Sequence, residues 1–414
     1  MKMINRTLPF PLLPLLLAAS GLLNGVHAQS GVIVDPKGGP GTYKTINAAL
    51  AVTSNTDIIR VRKGVYNENI VLINRAANIV GIGLLRTDVQ VNGTIGIRNH
   101  PAAHTSRFAR MTTGVVNCDS SSGNLAFEDV SSATRWSFVN HSGMVSLSRC
   151  LLTPATEGPY QLQFQNVQRA FMHQCNVYPL YRNSYGWFPM VFPGTVVNGG
   201  NFEASRCSFR GTKYGSMFQL YTNGGHALEL TDTTARITGL ANDQLLGGDG
   251  LSATFRLSYG GSGLAATRST VILQGVTVKA GIGASPWTLA ITNNRSTITT
   301  PTTKLPVVQS LFGFVRGGTP QIKLFGEPNA NSLTWLSLNF APIQLPFGYL
   351  LVDPFGPVLT FPATLDPWGH AKHSLDLRGL PPTFTGAPYI LQAITLTPNN
   401  IVGLSSPQIG AIAR

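Results

Sequence analysis

Short runs of alternating apolar and polar residues, separated by turns, cover most of the chain after residue 31. Residues 32–34, 58–61, 65–73 and 78–82 have this pattern and predict strands. Thr45 is followed by a segment, residues 46–52, that places Ile46, Ala49 and Leu50 on one side, which predicts a short helix with Thr45 as its N-cap. The chain therefore begins with a strand and a helix, and continues with consecutive strands.

Four cysteines occur at a similar point in successive strand-rich segments, at separations of 32, 25 and 32 residues. They are Cys118, Cys150, Cys175 and Cys207. A unit of about 25–32 residues made of short strands is typical of a parallel β-helix, in which each coil stacks on the previous one at about 4.8 Å. Equivalent residues of successive coils would then form columns along the stack.

The cysteine column has two interpretations that the sequence leaves open. In the first, the cysteines are small apolar residues stacked in the core. In the second, they form disulfides such as Cys118–Cys150 and Cys175–Cys207, which an exported protein permits. We expect no metal site, because the separations lack the short Cys-x-x-Cys pairs of zinc sites, and we expect no other cofactor.

The chain divides into three segments. Residues 1–28 combine Lys2 and Arg6 with an apolar run over residues 8–23 and a cleavage-site segment that ends in a small residue, Ala28, and they predict a signal peptide. Residues 29–305 predict the β-helix, whose rhythm is interrupted over residues 240–268 by a glycine-rich segment that forms a long loop or an irregular coil. Residues 306–414 alternate short strands with Pro and Gly joints, and they predict a β-sandwich-like module. We therefore expect a secreted or cell-surface protein, on the bacterial exterior or in the periplasm, with no transmembrane anchor after removal of the signal.

Composition narrows the fold class and shows where the charge lies. Only 11% of the 414 residues are charged, against about 25% in an ordinary globular domain, which argues against a helical bundle. The net charge of the whole chain is +13. Residues 29–305 carry 23 Lys and Arg against 13 Asp and Glu, whereas residues 306–414 carry 5 against 4. The basic character therefore belongs to the predicted β-helix.

Residues 41–49 (Gly-Thr-Tyr-Lys-Thr-Ile-Asn-Ala-Ala), 59–68 and 78–83 resemble the first segments of pectinesterases and related proteins of the pectin-lyase-like superfamily. The resemblance implies an all-β fold, a right-handed parallel β-helix with an N-terminal capping helix. That superfamily shares this beginning among esterases, lyases, hydrolases and non-enzymes. The catalytic motifs of pectinesterases, polygalacturonases and pectate lyases are absent from the sequence. The resemblance therefore assigns no catalytic residue and leaves enzymatic activity undecided.

The residues before the cysteines predict an outward polar column, which includes Arg149 and Arg206. Arginine binds carboxylate and sulfate groups through two parallel hydrogen bonds, so these two residues are candidates for binding an acidic polysaccharide. The alternative is an ordinary solvated face of the β-helix. We do not expect binding of nucleic acid, because no nucleic-acid motif accompanies the positive charge.

An aromatic segment offers a second set of candidate binding residues. It contains Tyr181, Arg182, Tyr185 and Trp187 among several prolines. A stiff aromatic loop on the side of a β-helix predicts a platform on which sugar rings stack. The alternative is that these rings cover the apolar side of the stack.

Together, these patterns predict a secreted β-helix protein that binds an acidic polysaccharide or another extracellular glycan, with processing of the glycan undecided. The alternative is a non-catalytic structural or surface-display protein of the cell exterior. A third hypothesis is a divergent lyase or esterase, which would need a cluster of carboxylates on one face; its candidates are Asp119, Asp129 and Glu203.

Overall fold

The protein is known from a computed structural model. The structure describes residues 31–153, 160–178, 192–212, 223–240, 242–250, 259–283, 288–310, 314–338, 340–345, 348–352, 358–381, 384, 388–397, 399 and 402–412. Helical structure among them includes the α-helix α1 (Ile46–Val52) and a 3-10 turn at Arg86–Asp88. Both the predicted helix and its N-cap are confirmed, because the Thr45 side chain accepts a hydrogen bond from the Ala48 amide.

The first 26 strands form one continuous parallel sheet that winds around the molecule. They are β1 (Gly31–Val34), β2 (Thr42–Tyr43), β3 (Ile58–Val61), β4 (Gly64–Tyr66), β5 (Ile70–Ile73), β6 (Asn78–Gly81), β7 (Val89–Val91), β8 (Ile95–Arg98), β9 (Thr105–Thr113), β10 (Val116–Ser121), β11 (Asn124–Ser132), β12 (Trp136–Ser148), β13 (Leu151–Leu152), β14 (Leu162–His173), β15 (Asn176–Val177), β16 (Thr195–Asn198), β17 (Asn201–Ser205), β18 (Ser208–Arg210), β19 (Leu228–Thr231), β20 (Thr234–Thr238), β21 (Gln244–Leu246), β22 (Leu264–Thr267), β23 (Thr270–Gln274), β24 (Thr277–Lys279), β25 (Ile291–Asn294) and β26 (Thr297–Thr299).

Strand pairing divides each coil of this parallel β-helix into three sides. The first side contains β5, β8, β10, β16, β19, β22 and β25. The second contains β3, β6, β9, β11, β17, β20, β23 and β26. The third contains β4, β7, the ends of β9 and β11, and then β13, β15, β18, β21 and β24. The long strands β12 and β14 run from the first side into the second.

Two columns of residues with a left-handed backbone mark the corners of the coils. One lies between the first and second sides and consists of Asn74, Asn99, Ser120, Asn140, Asn166, Gly199, Asp232, Arg268 and Arg295. The other lies between the second and third sides and consists of Arg110, Asp129, Arg149, Gln174, Arg206 and, after one intervening coil, Gly275. Asparagine tolerates this conformation better than most residues, which explains its frequency in the first column.

The interior of the β-helix is apolar and its first end is closed by α1. Phe108 stacks on Phe127 at 5.0 Å between ring centroids, and Phe138 stacks on Phe164 at 5.4 Å. Glu68 accepts hydrogen bonds from the first amides of α1, which orients the helix on the stack. The apolar residues of α1 join the same core cluster as the inward residues of the coils.

Residues from Val307 onward form antiparallel sheets. A three-stranded sheet has the order β27 (Val307–Ser310), β28 (Gln321–Phe325) and β33 (His370–Ser374). A five-stranded sheet contains β29 (Asn331–Ser337), β32 (Val358–Thr364), β34 (Pro388–Leu396), β35 (Val402–Leu404) and β36 (Gln408–Ala411), and β30 (Phe340–Leu345) pairs with β31 (Gly348–Val352). Inward residues of the two larger sheets share one core cluster, as the predicted sandwich requires.

The register corrects one prediction. Cys150, Cys175 and Cys207 do form a column on the third side, but Cys118 lies on the first side, in register with Ile97 and Phe138. Local periodicity misled there, because coils of different length place residues of similar spacing on different sides. The segment over residues 240–268, predicted as a long loop or an irregular coil, contains both β21 and β22, which agrees with the second of these alternatives.

All four cysteines are free and buried, so the predicted disulfides Cys118–Cys150 and Cys175–Cys207 are not formed in the structure. For the first pair the reason is the register, which separates the two residues onto different sides. For the second pair, the Cys175 thiol instead donates to the carbonyl oxygens of Leu147 and His173 at 3.3 Å. Burial raises the pKa of Cys118 to about 12 and raises that of Cys150 and Cys175 well above the ordinary value.

Thiol titration tests this arrangement. We expect no rapid reaction of the folded protein with a water-soluble disulfide reagent, because only the thiolate reacts and burial disfavours it. After denaturation without reductant, we expect four reactive thiols per chain. Fewer than four would show that disulfides form in the protein and would contradict the structure.

Candidate functional site

The outer surface of the second side is buried beneath the C-terminal sheets. Met144 and Phe171 of the β-helix share an apolar cluster with Leu351, Ile390 and Ile409 of the C-terminal module. Both parts therefore bury apolar surface against each other, and we call this surface of the second side the contact face. A cavity of about 10 Å³, lined by residues of both parts, leaves room for at most one water molecule there.

Buried ion pairs occupy the contact face. Glu128 accepts from Arg107 at 3.1 Å and from Arg149 at 2.6 Å, and the Arg107 and Glu128 side chains are only 5% and 4% exposed. Glu203 pairs with Arg236 in the same way. A buried charge is costly in free energy unless it is paired. These carboxylates therefore offset the cost of burying the guanidinium groups.

Contacts with the C-terminal module complete the second ion pair. Arg236 donates to the Leu404 carbonyl oxygen at 2.8 Å, and the Ser406 hydroxyl donates to Glu203 at 3.1 Å. The pair therefore bridges the β-helix and the module.

Arg149 and Arg206, the two candidate binding arginines, lie in the second left-handed column at the margin of the contact face. Each side chain is 20% exposed. Arg206 donates to Asp243 at 3.1 Å and to Gln309 of the C-terminal module at 2.6 Å. Both guanidinium groups are therefore engaged in contacts within the protein, and neither faces an open groove.

His173 shows the electrostatic character of this margin. It lies on β14 in register with Ser148 and Ser205, and it is buried. Burial, with the neighbouring charges of Arg149 and Arg206, lowers the pKa of His173 to about 3. The imidazole is therefore neutral at physiological pH.

The predicted aromatic platform of Tyr181, Arg182, Tyr185 and Trp187 lies outside the described residues. It stays a prediction. The described residue before it, Tyr178, follows the third side, and its ring lies 4.6 Å from the guanidinium carbon of Arg210. The described residues after it lead into β16 on the first side.

The outer surface of the first side carries a row of uncharged polar groups. The Ser137 hydroxyl donates to Gln163 Oε1 at 3.0 Å, and Gln163 Nε2 donates to Gln165 Oε1 at 3.0 Å. Asn117 lies one coil before Ser137 and is exposed, as is Asp119 on the same strand. We call this surface, defined by Asn117, Asp119, Ser137, Gln163 and Gln165, the polar face.

Hydrogen bonding within the row fixes the orientation of the amides. Gln165 Oε1 accepts from Gln163, and no described residue accepts from the Gln165 NH₂ group, whose donors can therefore serve another partner. At the adjacent corner Asn166 Nδ2 donates to Asn140 Oδ1 at 3.0 Å, which extends the amide pattern along the stack. Arg98, one coil before Asp119, adds an exposed cation.

The three candidate carboxylates do not converge. Asp119 lies on the polar face, Asp129 lies at the corner beside Arg86, and Glu203 lies buried in the contact face. Glu229 is the other carboxylate among the described outward residues of the first side. It lies four coils beyond Asp119, about 19 Å along the stack at the usual strand spacing. Paired-carboxylate chemistry needs a separation of roughly 5–9.5 Å, so this surface holds no such pair.

The described residues contain no group of three His, Cys, Asp or Glu side chains that could hold a metal ion. His100 is buried, and its Nε2 lies 2.7 Å from the Ser106 hydroxyl. Burial lowers its pKa to about 4. Within the described part of the chain, no helix is both long and apolar enough to cross a membrane.

Sequence reasoning overlooked the glutamine row, although a signal for it was present. Residues 162–165 alternate Leu, Gln, Phe and Gln, which places both glutamines on the outer surface of one strand. Their alignment with Ser137 and Asn117 requires the register between coils, which the sequence does not give.

A substitution at Glu128 tests the ionic network of the contact face. In Glu128→Gln, Arg107 and Arg149 lose their shared counter-ion in a buried site, so we expect a loss of about 3–5 kcal/mol of stability. The control is Asp232→Asn, which removes the exposed partner of Arg268, where both side chains are 54% exposed. There we expect little change. Denaturation midpoints in urea measure both effects, and equal midpoints for the two variants would contradict the assignment.

Comparison with known proteins agrees with this architecture. Residues 32–181 match the family model described as pectinesterase, and the match covers the coils that carry the polar face up to β15. No curated protein matches the chain.

Among solved structures, one titled "Geobacillus virus E2 - ORF18" aligns with 92% of this chain and 84% of its own chain. The alignment has 13% sequence identity and a TM-score of 0.24. The pectinesterase match and the large parallel sheet agree with the resemblance of the first coils. The family match over residues 32–181 and the parallel β-helix therefore fit a member of the pectin-lyase-like superfamily.

Proposed function

We propose that this protein is secreted or displayed at the cell surface, and that it binds an acidic polysaccharide along the polar face without cleaving it. The observation that carries the proposal is the hydrogen-bonded row of Ser137, Gln163 and Gln165 on an outer surface of the β-helix. The family match supports a pectin-related carbohydrate as the class of ligand.

The geometry of a parallel β-helix suits a polymer. Neighbouring coils repeat at about 4.8 Å, so side chains on one side form a regular row of donors and acceptors. Amide and hydroxyl groups bind sugar hydroxyls by hydrogen bonds that each contribute about 0.5–1.5 kcal/mol. Arg98 and the free donors of Gln165 are available for a carboxylate of the polymer.

The arrangement of carboxylates supports binding rather than cleavage. Ester or glycosidic-bond hydrolysis by acidic side chains needs a nucleophile or base and a separate proton donor. Asp119 has no second carboxylate within reach among the described residues of this side. The polar face therefore supplies recognition groups and lacks the paired groups for acid–base chemistry.

The alternative function is a non-catalytic structural or display protein of the cell exterior. The bridging of Arg236 to Glu203 and the Leu404 carbonyl oxygen favours this alternative, because it joins β-helix and module into one stiff unit. A structural protein needs no glycan ligand, so binding measurements separate the two functions.

The glutamine row provides the test. Electrophoresis of purified protein through gels that contain polygalacturonate should show retardation, and gels with neutral dextran should show less. In the double variant Gln163→Ala/Gln165→Ala we expect the affinity for polygalacturonate to fall by about 5- to 150-fold, the equivalent of two hydrogen bonds. The control is Gln244→Ala, which removes the same type of side chain from the third side.

Two outcomes would contradict the proposal. Unretarded migration of the unmodified protein in every glycan gel would favour the structural alternative. Release of methanol or sugar products from pectin, abolished by Asp119→Asn, would instead show that the polar face is catalytic.

A further inference from the structure

The C-terminal module has a basic and aromatic surface whose composition is not explained by packing against the β-helix. On the three-stranded sheet, Ile322 and Leu324 point into the module core, so Lys323 and Phe325 point outward. On the neighbouring strand β33, His370 and Lys372 are exposed. The outer surface of this sheet therefore combines two cations with aromatic rings.

The two lysines lie directly opposite each other. Lys323 on β28 is the register partner of Lys372 on β33. Like charges in this position destabilise an antiparallel pair, because the Cβ atoms of directly opposite residues are only about 5 Å apart. Neither lysine forms an ion pair with a described residue of the protein, whereas Arg378 in the same module pairs with Asp376 at 2.7 Å. An anion between the two ammonium groups would remove this repulsion.

A tryptophan stands at the end of the same sheet. Trp368 is 74% exposed, in contrast to the fully buried Trp136 of the β-helix. Its turn is ordered, because Asp366 Oδ1 accepts hydrogen bonds from the Trp368 and His370 amides at 3.0 and 2.7 Å. The five residues from Trp368 to Lys372 span at most about 13 Å, the extent of a short oligosaccharide.

An aromatic contact lies two residues along the chain from Trp368. The rings of Phe325 and His370 meet edge to face, with centroids 5.1 Å apart. An exposed indole held by an ordered turn offers a flat apolar surface at little conformational cost. The C–H side of a sugar ring fits such a surface, while a carboxylate on the sugar fits the lysine pair.

We propose that Lys323, Lys372 and Trp368 form a second binding site, in the C-terminal module, for a sugar that carries a carboxylate. The two ammonium groups bind the carboxylate, and the indole stacks on the sugar ring. The site goes beyond the proposed function of the polar face, and the two sites would give a polymer two points of attachment.

Protection against strand pairing is the competing explanation for the lysines. Edge strands often carry lysine, which discourages association with other chains, and β33 is an edge of the three-stranded sheet. This explains Lys372 but not Lys323, because β28 is the central strand. It also does not explain the exposed Trp368, since an apolar surface promotes association.

Charge and aromatic variants of the full chain test the site. We expect Lys323→Gln/Lys372→Gln to weaken binding to polygalacturonate by about three- to tenfold, with reduced salt dependence. We expect Trp368→Ala to weaken it by about tenfold. The matched control, Lys44→Gln/Lys279→Gln, removes two exposed charges from the β-helix and should retain binding. In the unmodified protein, trigalacturonate should shield Trp368 fluorescence from acrylamide quenching.

The outcomes separate this site from the polar face. Normal binding by the lysine and tryptophan variants, with weak binding by Gln163→Ala/Gln165→Ala, would overturn the second site and leave the proposed function intact. Trigalacturonate shielding of Trp368 together with normal binding by the glutamine variant would support the second site alone. Aggregation of Lys323→Gln/Lys372→Gln with unchanged glycan binding would identify the lysines as edge protection and overturn the site.

Discussion

The repeated left-handed turn is the constraint on which the rest of this structure depends. At each corner, one residue adopts a backbone conformation that costs a non-glycine residue roughly 1–2 kcal/mol. Stacking offsets this cost, because every coil makes the same turn and its strands pair with those of the next. The side-chain hydrogen bond between Asn140 and Asn166 adds to this within the first column. The corners decide which residues face the core, the C-terminal module or solvent.

The corners also explain why the positive charge of the β-helix did not locate the candidate binding surface. Many arginines of the β-helix form hydrogen bonds or ion pairs with other groups of the protein. Arg75 donates to the Leu50 and Thr53 carbonyl oxygens beside α1, and Arg110 donates to the Gly83 carbonyl oxygen. Arg149 and Arg206 pair with acids at the margin of the contact face. A corner residue with a long cationic side chain can reach the carbonyl groups and carboxylates of neighbouring coils. The net charge therefore overstates the number of cationic side chains that remain free to bind a ligand.

Local features of the fold were predictable from sequence, and features that depend on register were not. The helix Ile46–Val52 follows from Thr45 and the apolar spacing, and the parallel β-helix follows from the strand-rich repeat. The position of Cys118 did not follow, because coils of unequal length shift a residue from one side to another. Strand alternation predicted that the residues immediately before the cysteines point outward. Arg149 and Arg206 instead lie at left-handed corners, where this alternation does not apply.

The first and second sides of the β-helix differ in their surroundings because of contacts between residues that are far apart in sequence. Glu203 meets Ser406 across 203 residues, and Arg206 meets Gln309 across 103. These contacts bury the charged residues of the second side, where unpaired groups would be costly. The first side carries mostly uncharged amides and hydroxyls, which remain solvated without a partner at little cost. A surface of that composition can bind and release a polymer without destabilising the fold, because its polar groups exchange water for sugar hydroxyls. The side that we propose for recognition is therefore the one whose outer polar groups are not required for the stability of the molecule.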